Sequence, residues 1–356
     1  MRMFPAAISL LLPRVFLRQR ASRSCREGPR KIGCSETSEA ELGTEGAIVV
    51  QGPGSVGCWL AATLAAAGEA PILLSRQQQP VEALDLVVLR GEAQGAPEVC
   101  RARVVMGSAG SPPREGVGNL LLVCTKASDV TDAVEQGVDW IEEGGTVVVL
   151  ANGLGHLEAA ARVWPEEACL AGTLTYGLRR RSSGVVSLNG EGVLRLGPLL
   201  CGAEGDRRTA IVAERLAAAG IATEGHPDGR LLVWMKAALN AGLNPVAALL
   251  GVPNGELPTQ GAFEMAVAAA CEVAEVAGAE GVLLPADGWQ GRLRDLCRET
   301  AENRCSTLQD LEARRPTEIE ALCGTVDRLA EKAGIEAPAN RLLAALVRRR
   351  EQETSA

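Results

Sequence analysis

A line of polar side chains lies inside a hydrophobic stretch, "WMKAALNAGLNP" at residues 234–245. If this stretch is a helix, Lys236, Asn240 and Asn244 stand four residues apart and lie above one another on one face. A lysine is protonated at neutral pH, and partial burial would lower its pKa towards the range that suits a proton donor. Spacing alone also fits a lysine that packs its stem and extends its ammonium to solvent. Lys236 is therefore the leading candidate for a catalytic acid.

A second polar stretch, "CSTLQDLEARRPTEIEALCG" at residues 305–324, contains a hydroxyl and a carboxylate of interest. Ser306 and Gln309 form a capping-box pattern, and Pro316 predicts a helix with Glu318 in its first turn. A carboxylate there gains from the helix dipole without any catalytic duty. On residue types alone, Ser306 and Glu318 are interpreted as helix caps, and a role in a site is the alternative.

Both stretches belong to a part of the chain without β patterns. From about residue 228 onward, helical segments are interrupted by Pro253, Pro258, Pro285, Pro316 and Pro338. Pro245 predicts a kink just after Asn244, which would turn the polar face towards a cleft. We predict an all-helical domain over residues 228–350.

A glycine turn near the start of the preceding domain predicts a dinucleotide site. The run "GAIVVQGPGSVGCWLAATLAAAG" at residues 46–68 reads as a strand, a turn and a helix, with Gly52, Gly54 and Gly57 in a GxGxxG pattern. The first glycine permits the tight turn, the second lets a pyrophosphate approach the backbone, and the third lets the helix pack closely. The phosphates would sit at the helix N-terminus, beside Ser55 and Val56.

The second strand of this domain indicates which dinucleotide is preferred. About 20 residues beyond the glycines, where NAD enzymes offer an acid to the ribose, the chain has Ser75 and Arg76. A guanidinium can pair with a 2′-phosphate, and no carboxylate is there to repel it. NADP(H) is therefore favoured over NAD(H), although an ordinary solvated arginine remains the alternative.

Two further buried strands are predicted in "NLLLVCTKASDV" and "GGTVVVLANGLG". Lys126 follows the first strand and Asn152 follows the second, at the edge where open α/β sheets bind ligands. Residues 184–197 alternate like an antiparallel hairpin with an Asn-Gly turn, and residues 206–220 predict a helix. We predict a Rossmann-like α/β domain over residues 45–227, with the active site between it and the helical domain.

Composition excludes several classes of protein. The 356 residues carry a net charge of −8 without a dense basic run, so neither a nucleic-acid surface nor a membrane surface is predicted. Eleven cysteines without a CxxC pair, together with two histidines, predict neither a metal site nor a disulfide framework. Reduced thiols in hydrophobic surroundings favour a reducing compartment. The apolar helical tail leaves room for a homodimer.

The first 40 residues differ from the rest of the chain. Within the first 34, seven arginines and one lysine stand against a single acid, Glu27. Such a start is typical of an organelle transit peptide, and its apolar run is too short to span a bilayer. The alternative is a disordered leader. The compartment would be a mitochondrion or plastid with a transit peptide and the cytoplasm without one.

Taken in order, five motifs resemble the ketopantoate reductase (2-dehydropantoate 2-reductase) family. They are "VVQGPGSVG", "VCTKASD", "ANGLG", "WMKAALNAGLNPVAALLGVPNGEL" and "STLQDLEARRPTEIEALCG", and the similarity covers residues 46–350. The resemblance implies an NADPH-dependent reduction of ketopantoate to pantoate, a step towards pantothenate and coenzyme A. It also implies a helical domain like the C-terminal domain of 6-phosphogluconate dehydrogenase.

The resemblance also implies roles for individual residues. Lys236 would protonate the carbonyl oxygen, and Glu318 would orient the substrate and Lys236. Substrate contacts would come from Asn240, Asn244, Ser306 and Asn152. Cofactor contacts would come from Gly52, Gly54, Ser55, Val56, Gly57, Ser75, Arg76, Lys126 and Asn152.

Three residues depart from the family pattern: Asp129, His156 and Cys305. An acid at Asp129 would repel the cofactor phosphates mildly unless it points away. These departures leave the substrate open, so reduction of another 2-oxo acid, or the oxidative reaction, is an alternative. A non-catalytic NADP-binding regulatory protein is a further alternative, but a sensor would not need an acid and a carboxylate in its cleft.

Overall fold

The computed structural model describes residues 46–76, 83–91, 97–112 and 116–355. The predicted transit peptide lies outside the described residues. The described part forms two lobes, a sheet lobe up to residue 228 and a helical lobe from residue 229 onward. The predicted combination of a Rossmann-like α/β domain with a helical domain is confirmed.

The described strands form one sheet in the order β11-β10-β7-β6-β5-β1-β2-β4-β3-β9-β8. The six central strands, in the order β7-β6-β5-β1-β2-β4, run parallel to one another. The strands are β1 Ala47–Gln51, β2 Ile72–Ser75, β3 Ala83–Arg90, β4 Glu98–Ser108, β5 Gly118–Val123, β6 Ile141–Val149, β7 Cys169–Leu174, β8 Gly177–Ser182, β9 Val185–Gly190, β10 Leu194–Pro198 and β11 Thr223–Gly225.

Alternation along the central strands places apolar side chains on both faces of the sheet. Ile48 and Val50 belong to one hydrophobic cluster, whereas Val49 belongs to another on the opposite face. Burial on both faces is what a parallel sheet covered by helices requires. Since parallel strands end at the same edge, the residues that follow β1, β5 and β6 lie side by side. This edge positions the site.

The helices of the sheet lobe are α1 Ser55–Ala66, α2 Val130–Gly137, α3 His156–Ala160 and α4 Ala203–Ala218. Those of the helical lobe are α5 Gly229–Leu250, α6 Phe263–Ala279, α7 Trp289–Glu299, α8 Ser306–Glu312, α9 Thr325–Ala333 and α10 Pro338–Ser355. A π-helical turn, Glu320–Gly324, leads into α9. No described helix is both long and apolar enough to span a bilayer.

Helix α5 is the axis of the helical lobe. Asp228 caps its first turn by accepting from the Leu231 amide at 2.9 Å, and Gly251 ends it in the left-handed conformation. A Cβ added at Gly242 would lie 2.7 Å from the Ala266 carbonyl oxygen, so α5 and α6 pack closely there. The helix continues through Pro245 to Leu250. Its buried alanines and Trp234 join the core of the lobe.

The predicted hairpin at residues 184–197 is wrong. Its two halves are β9 and β10, which lie far apart in the sheet: β9 pairs with β3 and β8, and β10 pairs with β7 and β11. The actual turn connects β8 to β9 at Gly184, whose φ is +72°. Asn189 and Gly190 lie within β9. Alternating side chains predict a strand but not its partner, which explains the error.

Candidate active site

The glycine turn has the geometry that a dinucleotide phosphate needs. Gly52 has a φ of +104°, and a Cβ added at Gly57 would lie 2.1 Å from the Gly52 carbonyl oxygen. Gly54 has extended backbone, and among the described residues beyond its chain neighbours the nearest atom to its added Cβ is the Cys124 carbonyl oxygen, at 3.9 Å. The turn is therefore tight at Gly52, closely packed at Gly57 and open at Gly54.

The start of α1 presents backbone donors that have no acceptor within the helix. The first turn of a helix leaves amides without intrahelical acceptors, and here those amides belong to Ser55, Val56 and Gly57. No side chain caps the helix and its first turn carries no acid. The helix dipole adds positive potential at the same place. These residues fit a pyrophosphate group, because they offer donors, space and charge of the right sign.

Arg76 lies at the end of β2, where its guanidinium donates to Asp129 Oδ1 at 2.7 Å. The Arg76 side chain is 62% exposed, so another anion can reach it. Asp129 also accepts from the Ser128 hydroxyl at 3.3 Å. Asp129 therefore points towards Arg76, the arginine that is expected to bind the cofactor. The guanidinium of Arg76 compensates the negative charge of Asp129.

Lys126 connects the two lobes. Its ammonium donates to Asp310 Oδ2 at 2.9 Å and to the Pro316 carbonyl oxygen at 2.6 Å. Arg315 donates to the other oxygen of Asp310 at 3.0 Å. Asp310 is buried, and its contacts with Lys126 and Arg315 compensate the cost of desolvating its charge. The lysine after β5 is thus held against the helical lobe.

Glu318 makes the second connection between the lobes. Its Oε1 accepts from the Ala127 amide at 3.1 Å, and its Oε2 accepts from the Asn152 side-chain amide at 3.0 Å. Both donors follow strands of the parallel sheet, β5 and β6. A carboxylate from the helical lobe therefore lies at the ligand-binding edge of the sheet lobe.

Lys236 lies on α5, partly buried near the same edge. Its ammonium lies 3.5 Å from the Leu174 carbonyl oxygen at the end of β7, a long hydrogen-bond distance. Burial lowers the pKa of Lys236 to about 8, and the negative charge of Glu318 opposes that change. The amine is therefore largely protonated at neutral pH and close to the range in which it can give up its proton.

Three polar side chains of the helical lobe remain available to a ligand. Asn240 is partly buried, Asn244 is 9% exposed and Ser306 is exposed. Within the described residues, none of their side chains forms a hydrogen bond.

Cys305 donates its thiol to the Asn244 carbonyl oxygen at 3.3 Å, and this bond holds the start of α8 against α5. Burial raises the pKa of that thiol to about 11, so it stays protonated.

The interpretation of Ser306 and Glu318 as helix caps is wrong. The N-cap of α8 is Cys305, Ser306 is the first helical residue, and no side chain caps the helix. Glu318 precedes the π-helical turn, and its carboxylate bonds across to the sheet lobe. The pattern failed at Glu318 because its carboxylate pairs with donors of the distant sheet lobe, which local sequence does not encode. At Ser306 it failed because the Gln309 side chain donates to the Arg304 carbonyl oxygen instead of completing a capping box.

Asp310, which binds Lys126, was not recognised from the sequence. It lies inside the stretch "STLQDLEARRP", where an acid at a buried helical position was the one local sign of a partner.

His156, which departs from the family pattern, lies at the start of α3. Its Nε2 must donate to the Asn152 carbonyl oxygen at 2.9 Å, since a carbonyl oxygen can only accept. Burial lowers the pKa of His156, which favours the neutral ring.

Two family models match most of the chain. Residues 48–200 match "Ketopantoate reductase PanE/ApbA", and residues 228–351 match "Ketopantoate reductase PanE/ApbA C terminal". The two matches fall on the sheet lobe and on the helical lobe, so each half of the described site lies in a segment of the same family.

Curated relatives agree with the family models. The 2-dehydropantoate 2-reductase of Halobacterium salinarum is 34% identical over 306 residues, covering 85% of this chain and 97% of the relative. That of Vibrio cholerae is 30% identical, covering 86% of this chain and 99% of the relative. Both alignments therefore include both lobes.

Solved structures show the same architecture. The PanE/ApbA family ketopantoate reductase of Ralstonia eutropha has a TM-score of 0.73 at 28% identity, covering 87% of this chain and all of that one. A D-mandelate dehydrogenase with NADH and anilino(oxo)acetate has a TM-score of 0.77 at 21% identity, over 87% of this chain and all of that one. At that identity the second likeness shows the fold alone.

Proposed function

The chain belongs to the ketopantoate reductase family of oxidoreductases, and we propose that it reduces 2-dehydropantoate to pantoate with NADPH. Pantoate would then feed the synthesis of pantothenate and coenzyme A. The observation that carries the proposal is the position of Lys236, whose lowered pKa is balanced by Glu318 at the edge of the sheet.

The cofactor would be held mainly by the sheet lobe. The amides of Ser55, Val56 and Gly57 would bind the pyrophosphate, and Arg76 would pair with the 2′-phosphate. Its exposure allows a phosphate to compete with Asp129 for the guanidinium. When bound, the nicotinamide supplies the hydride that the ketone carbon accepts.

The substrate would lie between the lobes. Asn240, Asn244 and Ser306 offer hydrogen-bonding groups that no described protein atom uses, so they can bind the hydroxyl and carboxylate of a 2-oxo acid. Lys236 would place its ammonium on the ketone oxygen and transfer a proton as negative charge develops there. The oxygen thereby becomes the hydroxyl of the product, and Lys236 becomes a neutral amine.

Glu318 and Asn152 act as positioning residues for this step. Glu318 keeps negative charge close to the ammonium and favours its protonated form. The bond from Asn152 fixes one carboxylate oxygen, and the Ala127 amide fixes the other. With both oxygens held, the carboxylate cannot rotate away when the proton moves.

A panel of 2-oxo acids, assayed by loss of NADPH absorbance, tests the proposal. The panel should compare 2-dehydropantoate with other branched 2-oxo acids and should be repeated with NADH, on the full chain and on a chain that begins at Gly46. We expect 2-dehydropantoate with NADPH to have the highest kcat/KM. A higher value for another acid would reassign the substrate, and no turnover with any acid would favour the regulatory alternative.

A further inference from the structure

A cavity of about 320 Å³ lies between the lobes, beside the segment that follows β6. Neither Lys236 nor Glu318 lines this interlobe cavity, and no residue of the glycine turn lines it. Its volume reaches the range of small-molecule sites in proteins, which begins at about 300 Å³. Nothing in the proposed reaction uses it.

The walls of the interlobe cavity combine apolar surface with charge. Leu157 from the sheet lobe and Val233, Trp234 and Leu329 from the helical lobe provide apolar contacts. Such a surface can receive a short hydrocarbon body and exclude water around a polar head. Since the apolar residues come from both lobes, a molecule inside would contact both.

The interlobe cavity also has an excess of unpaired cations. Arg162, Arg230 and Lys332 line it together with Glu158 and Glu280, which leaves one net positive charge from three cations and two carboxylates. Within the described residues, none of the three cations forms an ion pair with a carboxylate. In the part of the chain that the structure describes, Arg230 donates to a single acceptor, the main-chain carbonyl oxygen of Glu280, at 2.7 Å.

This excess stands out because the chain as a whole carries a net charge of −8 and several of its other arginines are paired. Three cations around one cavity create a local positive potential that attracts an anion.

One wall of the interlobe cavity is connected to the candidate active site. His156 lines the cavity and donates to the Asn152 carbonyl oxygen at 2.9 Å, and the Asn152 side chain donates to Glu318. A Cβ added at the intervening Gly153 would lie 2.6 Å from the Ala321 carbonyl oxygen, so this segment is tightly packed against the π-helical turn. Because the packing leaves little space, a displacement at His156 would press on Asn152.

We propose that the interlobe cavity binds a small organic anion, with one negatively charged head and a short apolar body, and that this ligand modulates the active site through His156 and Asn152. The claim that an anion binds depends on the interlobe cavity alone. The claim that this anion modulates the active site rests on the proposed reductase function.

Calorimetric titration of the full chain tests binding with three probes: butyrate, butyl phosphate and inorganic phosphate. The first two distinguish a carboxylate head from a phosphate head, and the third tests the head without the apolar body. We expect saturable binding of butyrate or butyl phosphate and weaker binding of inorganic phosphate. No binding of any probe would overturn the proposal.

A double variant, Arg162→Gln with Lys332→Gln, tests where the probe binds. Loss of these two cations is expected to weaken binding by about tenfold, equivalent to about 1.4 kcal/mol. The matched control is Arg207→Gln with Arg349→Gln, which removes two exposed arginines of α4 and α10 outside the cavity. Equal affinity in the double variant and the wild type would exclude the interlobe cavity as the site.

The same titration of Lys236→Ala separates the interlobe cavity from the catalytic cleft. We expect this variant to bind the probe as the wild type does, whereas weakened binding would place the probe at the catalytic site and overturn the proposal.

A kinetic measurement tests modulation. A ligand that holds His156 in place keeps Asn152 bonded to Glu318, so the probe should lower the KM for the 2-oxo acid by about twofold or more in the wild type. The Arg162/Lys332 double variant should keep its turnover and lose this response. Binding without any kinetic response would refute the modulation, and binding to a chain that turns over no 2-oxo acid would refute the reductase function instead.

Discussion

The glycine turn and the contacts between the lobes build two parts of the candidate site in different ways. The turn consists of backbone: Gly52 and Gly57 shape it, and amides of α1 provide its donors. The contacts between the lobes consist of side chains, with Lys126 bound to Asp310 and Asn152 bound to Glu318. A backbone site tolerates few changes of shape, whereas a side-chain site responds to changes of charge and of proton affinity.

Replacing Lys236 should give the largest effect. Lys236→Ala removes the proton donor, so turnover should fall by a factor on the order of 10² or more while NADPH binding stays nearly intact. Stopped-flow absorbance would give the rate, and fluorescence titration would give the affinity. Arg207→Ala, which removes an exposed cation of α4 outside the cleft, is the control. Unchanged turnover in Lys236→Ala would remove the lysine from the mechanism.

Changing the turn itself should act on cofactor binding and on folding. In Gly57→Ala the new Cβ would lie 2.1 Å from the Gly52 carbonyl oxygen, so β1 and α1 must separate. We expect a loss of stability of about 1–3 kcal/mol and weaker cofactor binding, measured by thermal unfolding and titration. Gly110→Ala is the control, because no heavy atom of the described residues, apart from its chain neighbours, lies within 4 Å of its added Cβ. Equal stability of the two variants would contradict the close packing.

Arg76→Ala should separate the two cofactors. Loss of the guanidinium should raise the KM for NADPH by about tenfold and leave that for NADH nearly unchanged, since the charge-assisted bond goes to the 2′-phosphate. The measurement is steady-state kinetics with each cofactor, with Arg207→Ala as a surface control. Equal losses for NADPH and NADH would disprove the role of Arg76.

Asp129→Asn should have the smallest effect, in the opposite direction. The carboxylate now competes for Arg76 at 2.7 Å, and an exposed ion pair contributes little. Its removal should lower the KM for NADPH by about two- to threefold. Ser128→Ala, which keeps the charge, is the control. A raised KM in Asp129→Asn would mean that Asp129 holds Arg76 in place for the phosphate.

Local sequence patterns predicted the strands and helices of this fold better than they predicted which strands pair. The strand, turn and helix around Gly52 follow from glycine geometry and periodicity within one short segment. The hairpin at residues 184–197 failed because the same alternation fits any neighbouring strand, and β9 and β10 pair with other strands. Strand partners depend on the whole sheet rather than on the turn residues nearby.

In the candidate site, too, residues related by local spacing were predicted better than residues paired over long separations in sequence. Lys236, Asn240 and Asn244 were visible as a stripe because helical spacing places them together. Glu318 and Lys126 each bond to groups more than 150 residues away, at separations of 166 and 184 residues. No short segment records such pairing, so Glu318 was interpreted as a cap and Asp310 was missed. The resemblance to a family supplied what residue chemistry alone did not.

The pH dependence of kcat/KM tests the role of Lys236 most directly. The pKa of Lys236 is lowered to about 8, and reduction needs the protonated form, so the rate should be constant at lower pH and fall as pH rises through about 8. Because Glu318 raises that pKa, Glu318→Gln should move the fall to lower pH, and Glu320→Gln, which replaces an exposed glutamate nearby in sequence, should not. A flat profile through this range, or an identical profile in Glu318→Gln, would contradict the assignment of Lys236 as the proton donor.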